Sequence, residues 1–158
     1  MHQNLEGASG GAITFGAAGL TIGGTASKAR TSNNIDFVVD GKFDTLLAAD
    51  DLITFSSGHT ALAAGETCFF GVWIVVGNTI STTQGKIVAT ADVTAGKTHV
   101  PFPDKVADKA LLGLIQVATV GAATFTPGST NLSASNVFDA YTDCAVMPTV
   151  PVTTYPSA

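Results

Sequence analysis

Charged side chains are scarce in this chain of 158 residues, where Asp, Glu, Lys and Arg together make up 12% of the sequence. Exposed helices normally carry many such residues, so a helical bundle is not expected. The seven Lys and Arg are scattered singly, and the net charge is -5. No stretch can therefore neutralise a run of phosphates, and the sequence predicts no nucleic-acid partner.

Cysteines and long apolar runs are also few. Cys68 and Cys144 are too few to form a disulfide framework, and we expect both to face inward as thiols if assembly is cytoplasmic. The longest strongly apolar run, residues 68–76, is far shorter than the roughly 20 residues of a membrane-spanning helix. No basic and apolar leader is visible at the N-terminus. The sequence thus predicts synthesis in the cytoplasm and no membrane association.

Motifs that carry chemistry are missing as well. The three histidines lack the spacing of zinc ligands, and Asp36, Asp40 and Asp44 do not follow the pattern of a calcium loop. The sequence contains neither a nucleophile elbow nor a phosphate-binding glycine loop. We therefore predict no catalytic, cofactor-binding or metal-binding residues and interpret the chain as a non-enzyme.

What is abundant is a succession of short β-favouring runs separated by turn residues, between residues 31 and 148. This pattern is typical of a sandwich or barrel. Residues 35–39 are apolar at odd positions, and Asp40-Gly41 follows, a strong hairpin signal because a type I′ turn needs positive φ at both central residues. Residues 42–47 fit the return strand, although residues 43–49 could equally form a short helix, and residues 104–110 fit a single helical turn. The predicted fold is all-β, an antiparallel β-sandwich or jelly-roll-like domain.

Two runs are apolar on both faces of the strand that they predict, residues 68–76 and residues 111–120. A half-solvated antiparallel strand has one polar face, so an arm, a second layer or a neighbouring subunit must cover the other. Phe69 and Trp73 share one face of the first run. Large aromatic residues contribute most in a core or a subunit interface, so both are candidate interface residues.

The two ends of the chain differ from its middle. Residues 1–30 are rich in Gly, Ala, Ser and Thr, and their glycines weaken any strand that the isolated apolar residues could form. We predict an extended N-terminal arm that holds the subunit to its neighbours. Its candidate interface residues are Ile13, Phe15, Leu20 and Ile22. Prolines at positions 148, 151 and 156 predict that residues 149–158 form an extended C-terminal tail.

The order of turns and strands resembles that of a known protein family. The features that carry the resemblance are the Asp40-Gly41 turn, Ala63-Ala64-Gly65 before the first two-sided run, Gly77-Asn78 with Gly85 after it, Pro101-Phe-Pro103 ahead of residues 112–117, residues 123–130, and residues 138–141 ahead of Pro148. In this layout the chain resembles the small β-rich capsid decoration proteins, also called cement or head-stabilising proteins, of tailed bacteriophages.

The resemblance implies a structural protein on the capsid exterior of the virion. Such a subunit binds the major capsid protein, clamps neighbouring capsomers, and forms a homo-oligomer, a dimer or trimer. It uses no cofactor. The alternative interpretation is a receptor- or glycan-binding module of a phage head or tail fibre. A solvent groove containing Trp73, Tyr141 and Tyr155 would favour that alternative.

Overall fold

The computed structural model describes residues 11–144, and their secondary structure is almost entirely β. Every strand pairing within these residues is antiparallel. The prediction of an all-β, antiparallel sandwich is confirmed. The elements are β1 Ala12–Phe15, β2 Leu20–Ile22, β3 Ala29–Thr31, β4 Ile35–Val39, β5 Lys42–Leu46, β6 Ala49–Ile53, β7 Glu66–Val75, β8 Thr79–Gln84, β9 Val88–Ala89, α1 Thr90–Thr94, β10 Ala110–Thr119 and β11 Val137–Asp143.

The strands form a central sheet and two smaller sheets. The central sheet has the order β11-β10-β7-β8, with β9 also paired to β7. The smaller sheets have the orders β1-β4-β5 and β2-β3-β6. One buried cluster, the main core, joins all three sheets. It includes Phe70 and Val72 of β7, Phe37 of β4 and Ile53 of β6, so the two small sheets pack against one face of the central sheet.

The other face of the central sheet is covered as well, by this chain itself. A second cluster consists of Phe69, Trp73, Val100, Leu111, Leu114 and Cys144. Phe102 and Val106 pack against it, and the Phe102 ring lies 5.3 Å from the Phe69 ring. Phe69 and Trp73 are each 1% exposed. The second layer that this two-sided strand needs therefore comes from a segment later in the same chain.

Residues 11–30 differ from the predicted arm, because they are built into the domain. β1 pairs with β4 along its whole length, and β2 pairs with β3. Leu20 is 6% exposed and belongs to the main core. Gly16 and Gly19 have positive φ and lie between these strands, so they shape turns instead of weakening a sheet. Residues 1–10 and the predicted tail, 149–158, lie outside the described residues.

The predicted turns and helices had different outcomes. Asp40 and Gly41 have φ of 51° and 71°, which confirms the hairpin, and its return segment is the strand β5. The helical turn at residues 104–110 is wrong, since Asp108 has a φ of 58° that an α-helix does not allow. The short helix α1 lies instead at Thr90–Thr94, directly after β9.

Residues 122–126, which follow β10, do not pair back with it. Phe125 makes an isolated antiparallel bridge to Leu62, with backbone hydrogen bonds of 2.8 and 3.0 Å. The Phe125 ring then packs edge-on to Phe55 in the main core. Burial of this aromatic side chain takes the segment away from β10, which pairs with β7 and β11 instead.

Candidate interaction surfaces

The sheet β1-β4-β5 has an exposed apolar side, which we call the outer face. It consists of Ile13, Phe15, Val38 and Phe43. The strand register aligns Ile13 with Val38 and Val38 with Phe43, so these three side chains form one row across the sheet. Phe15 is 55% exposed and Phe43 is 64% exposed. Two phenylalanines so exposed on one small sheet make an apolar patch of the kind that marks interaction sites.

Alternation along the strands explains why this face is open. In β4 the residues Ile35, Phe37 and Val39 are buried in the main core, so Val38 between them points outward. In β1 the inward residue is Thr14, which is 2% exposed. Its Oγ1 donates to the carbonyl of Leu111 at 3.2 Å and is 3.3 Å from that of Cys144. These contacts hold β1 against the central sheet with its apolar side chains facing solvent.

Carboxylates near the outer face are held by hydrogen bonds within the subunit. Asp36 accepts from the Thr45 hydroxyl at 2.7 Å. Asp44 accepts the backbone N–H of Gly77 and that of Thr45, each at 2.8 Å. These bonds, the one from Gly77 most of all, hold the pKa of Asp44 below its ordinary value. The carboxylates therefore fix the strands and the neighbouring hairpin.

A second surface feature is a cleft of about 650 Å³ beside β8. On one side His59 places its Nε2 atom 2.8 Å from the Thr82 hydroxyl and its ring 5.3 Å from that of Phe70. Burial lowers the pKa of His59, which favours the neutral form of the ring. Residues 104–107 form the opposite side. At the base the Thr83 hydroxyl accepts the Trp73 Nε1–H at 2.7 Å.

Adjacent carboxylates at the start of β6 organise the turn between β2 and β3. Asp50 accepts the Gly24 N–H at 2.8 Å, and Asp51 accepts the Thr25 N–H at 2.7 Å. Asp51 also accepts a hydrogen bond from the Thr25 hydroxyl, which is the main reason why its pKa is lowered. The two carboxylates thus bind separate groups of the same turn. This arrangement is structural.

The two cysteines are free thiols on opposite faces of the central sheet. Cys68 belongs to the main core and Cys144 to the second cluster. Burial raises the pKa of Cys68 to about 12 and that of Cys144 to about 11. Neither thiol is ionised at neutral pH, so neither is an activated nucleophile. The prediction of inward-facing thiols is confirmed.

The structure separates the six candidate interface residues into two groups. Ile13 and Phe15 lie side by side on the outer face. Leu20, Phe69 and Trp73 are buried inside the subunit, and Ile22 is half-buried against the main core. The sequence analysis missed Val38 and Phe43. A two-residue turn at Asp40-Gly41 pairs Val39 with Lys42 and thus Val38 with Phe43, so the hairpin signal already contained their alignment.

Comparison with known proteins gives no identification. No family model matches the chain, and neither a curated protein nor a solved structure matches it. Among residues 11–144 no group of three His, Cys, Asp or Glu side chains could hold a metal ion. No helix in the described part of the chain is both long and apolar enough to cross a membrane.

Proposed function

We propose that this chain is a virion structural protein that decorates the outside of an icosahedral phage capsid and clamps neighbouring capsomers. Its partners would be the major capsid protein and further copies of itself. The observation that carries the proposal is the outer face, an apolar patch on a rigid sheet. The layout of turns and strands that resembles the capsid decoration proteins supplies the class of partner.

The size of the outer face suits a weak contact that is repeated many times. Burial of a half-exposed phenylalanine removes roughly 100 Å² of apolar surface from water, which contributes roughly 2.5 kcal/mol before the costs of association. Two such side chains, Phe15 and Phe43, give modest affinity at one site. On a capsid the same contact recurs over the lattice, and linked copies gain avidity.

Binding to capsids tests this proposal. Phe43→Ser in the full chain removes an outer-face ring, and Leu47→Ser is a matched control because Leu47 is 65% exposed but follows the end of β5. We expect about tenfold weaker binding of Phe43→Ser to purified heads of the phage that encodes the chain, and unchanged binding of Leu47→Ser. Equal affinity of both variants and the native chain would refute a role for the outer face.

The alternative function, receptor or glycan binding, requires an exposed aromatic platform. Trp73 is 1% exposed and its indole N–H is bonded to Thr83, so it offers no such surface. Tyr141 is half-buried against the main core, and Tyr155 lies outside the described residues. The buried Trp73 gives this alternative no support, and we favour the capsid proposal.

A further inference from the structure

A carboxylate lies among the apolar side chains of the outer face. In the strand register, Asp36 lies directly between Phe15 of β1 and Thr45 of β5. It alternates with the buried Ile35 and Phe37, so its side chain is exposed on the outer face. The Thr45 hydroxyl donates to Asp36 Oδ1 at 2.7 Å, and in the described part of the chain Oδ2 accepts no hydrogen bond from the protein. One carboxylate oxygen is thus available on this face.

The two exposed rings of the outer face stand on either side of this carboxylate. Phe15 is the direct cross-strand neighbour of Asp36, at about 5 Å between Cβ atoms, and Phe43 is its diagonal neighbour, at about 7–8 Å. A partner that covers both rings therefore also covers Asp36 and removes its carboxylate from water. A buried charge without a compensating group is strongly unfavourable, so such a partner must supply that group.

The Lys and Arg side chains of this chain do not compensate the charge of Asp36. All seven belong to the part of the chain that the structure describes, and no ion pair in that part includes Asp36. Lys42 is the only cation of the β4-β5 hairpin. It directly precedes the outward-facing Phe43 in β5, so it points to the opposite side of the strand. The compensating cation must therefore come from the partner.

We propose that the outer face recognises an arginine side chain of its protein partner, bound to Asp36 and flanked by apolar side chains that contact Phe15 and Phe43. A guanidinium group donates two parallel N–H bonds to a carboxylate and stacks on aromatic rings, whereas an ammonium group does neither. A cation bound to Asp36 lies close to the Phe15 ring, within the roughly 6 Å over which a cation is attracted to an aromatic face.

The charge of the surrounding hairpin favours the same kind of partner. Residues 35–46 contain three aspartates and a single lysine. The resulting negative potential attracts a basic segment and opposes an acidic one, which adds specificity to the apolar contact. The identity of the partner, the major capsid protein, rests on the proposed function. The inference adds the chemistry of the contact that this partner makes.

Removal of one charge from the full chain tests this contact. Asp36→Asn keeps an oxygen that can accept from Thr45, and Asp104→Asn is the matched control, because Asp104 is exposed in the segment over the opposite face of the central sheet. We expect Asp36→Asn to bind purified heads about tenfold more weakly than the native chain does, and Asp104→Asn to bind them equally well. If Phe43→Ser weakens binding and Asp36→Asn does not, the arginine contact is refuted and the capsid proposal stands.

A second experiment does not depend on heads. The probe is a capped pentapeptide with arginine at its centre and leucine at each end, compared with the same peptide carrying uncharged citrulline. NMR titration of the full chain follows the amides of Asp36 and Phe43. We expect the native chain to bind the arginine peptide about fivefold more tightly, and Asp36→Asn to bind both peptides equally.

Three results of the titration would overturn the inference. They are equal affinity of the native chain for both peptides, a preference for arginine that survives Asp36→Asn, and no shift of either amide at about 20 mM peptide. A preference for arginine that depends on Asp36, in a chain that does not bind heads, would instead refute the capsid proposal alone.

Discussion

The outer face of β1-β4-β5 and the second face of the central sheet are both apolar, but only one of them is covered. Phe69 and Trp73 lie beneath residues 100–106 and are 1% exposed, whereas Phe43 is 64% exposed. Apolar side chains therefore have two different roles in this one domain. Those of the second face stabilise the fold, and those of the outer face are available to a partner.

Truncation of Trp73 is the strongest test of this comparison. Trp73→Ala removes a fully buried aromatic side chain, and we expect the free energy of unfolding to fall by about 3–5 kcal/mol. Phe43→Ala removes an exposed ring, and we expect a change of at most about 0.5 kcal/mol. Urea denaturation measures both. A similar loss of stability in the two variants would mean that the outer face is also covered in the free subunit.

A substitution at Gly71 tests how closely residues 100–106 pack over the second cluster. A Cβ atom at Gly71 would lie 2.8 Å from Trp73 Nε1 and 3.0 Å from Pro103 Cγ, whereas at Gly58 the nearest atom would be Ser56 Oγ at 3.7 Å. We expect Gly71→Ala to destabilise the protein by about 1–3 kcal/mol, because overpacking displaces the layer. Gly58→Ala is the control, and its midpoint of urea denaturation should be nearly unchanged. Equal midpoints for the two variants would show that the layer is loosely held.

Acid should weaken the surface turns before it affects the covered cluster. The pKa of Asp51 is lowered mainly by the hydrogen bond from the Thr25 hydroxyl, and that of Asp44 mainly by the bond from the Gly77 N–H. A lowered pKa in the folded state stabilises the fold above the unfolded pKa, and this contribution disappears as pH falls through the folded value. We therefore expect stability to decrease from about pH 4 downward.

The variant Asp51→Asn makes the acid prediction specific. It removes one titrating acceptor, so we expect a slightly shallower decrease in stability below about pH 4 than in the native chain. Thermal melts over a pH series measure the slope. The control is Asp40→Asn, which makes the same chemical change in the exposed turn between β4 and β5. An Asp51→Asn curve identical to the native one would show that the bonds to Thr25 do not contribute.

Much of the central sheet could be predicted from the sequence, because its signals are local. The two-sided run at residues 68–76 lies almost wholly within β7. In the small sheet β1-β4-β5, the hairpin was predictable as well, because Asp40-Gly41 has the turn chemistry that it needs. The short strands β1 and β2 could not be predicted with the same force, since three or four residues among glycines show no clear period. Their place in the fold depends on partners farther along the chain.

The cleft was not predictable, for a similar reason. Its lining comes from residues 58–59, 82–84 and 104–107, which are distant in sequence and carry no common motif. The outer face was predictable in part. Ile13 and Phe15 were candidates because they are apolar residues of the predicted arm, but Phe43 becomes their neighbour only through the pairing of β4 with both β1 and β5. The cleft and the outer face thus depend more on the topology of the chain than on its composition.

The contacts of Thr14 also limit when the fold can be completed during synthesis, because one of its partners is made much later. Its hydroxyl lies near the carbonyl of Cys144, 130 positions later in the chain. A ribosome that adds 5–20 residues per second needs roughly 7–26 s to cover that separation. During this time β1 can pair with β4 while its inner side still lacks β10 and β11. Folding with contacts so distant in sequence is slow, and Phe37 and Val39, on the inner side of β4, remain uncovered until the central sheet has been synthesised.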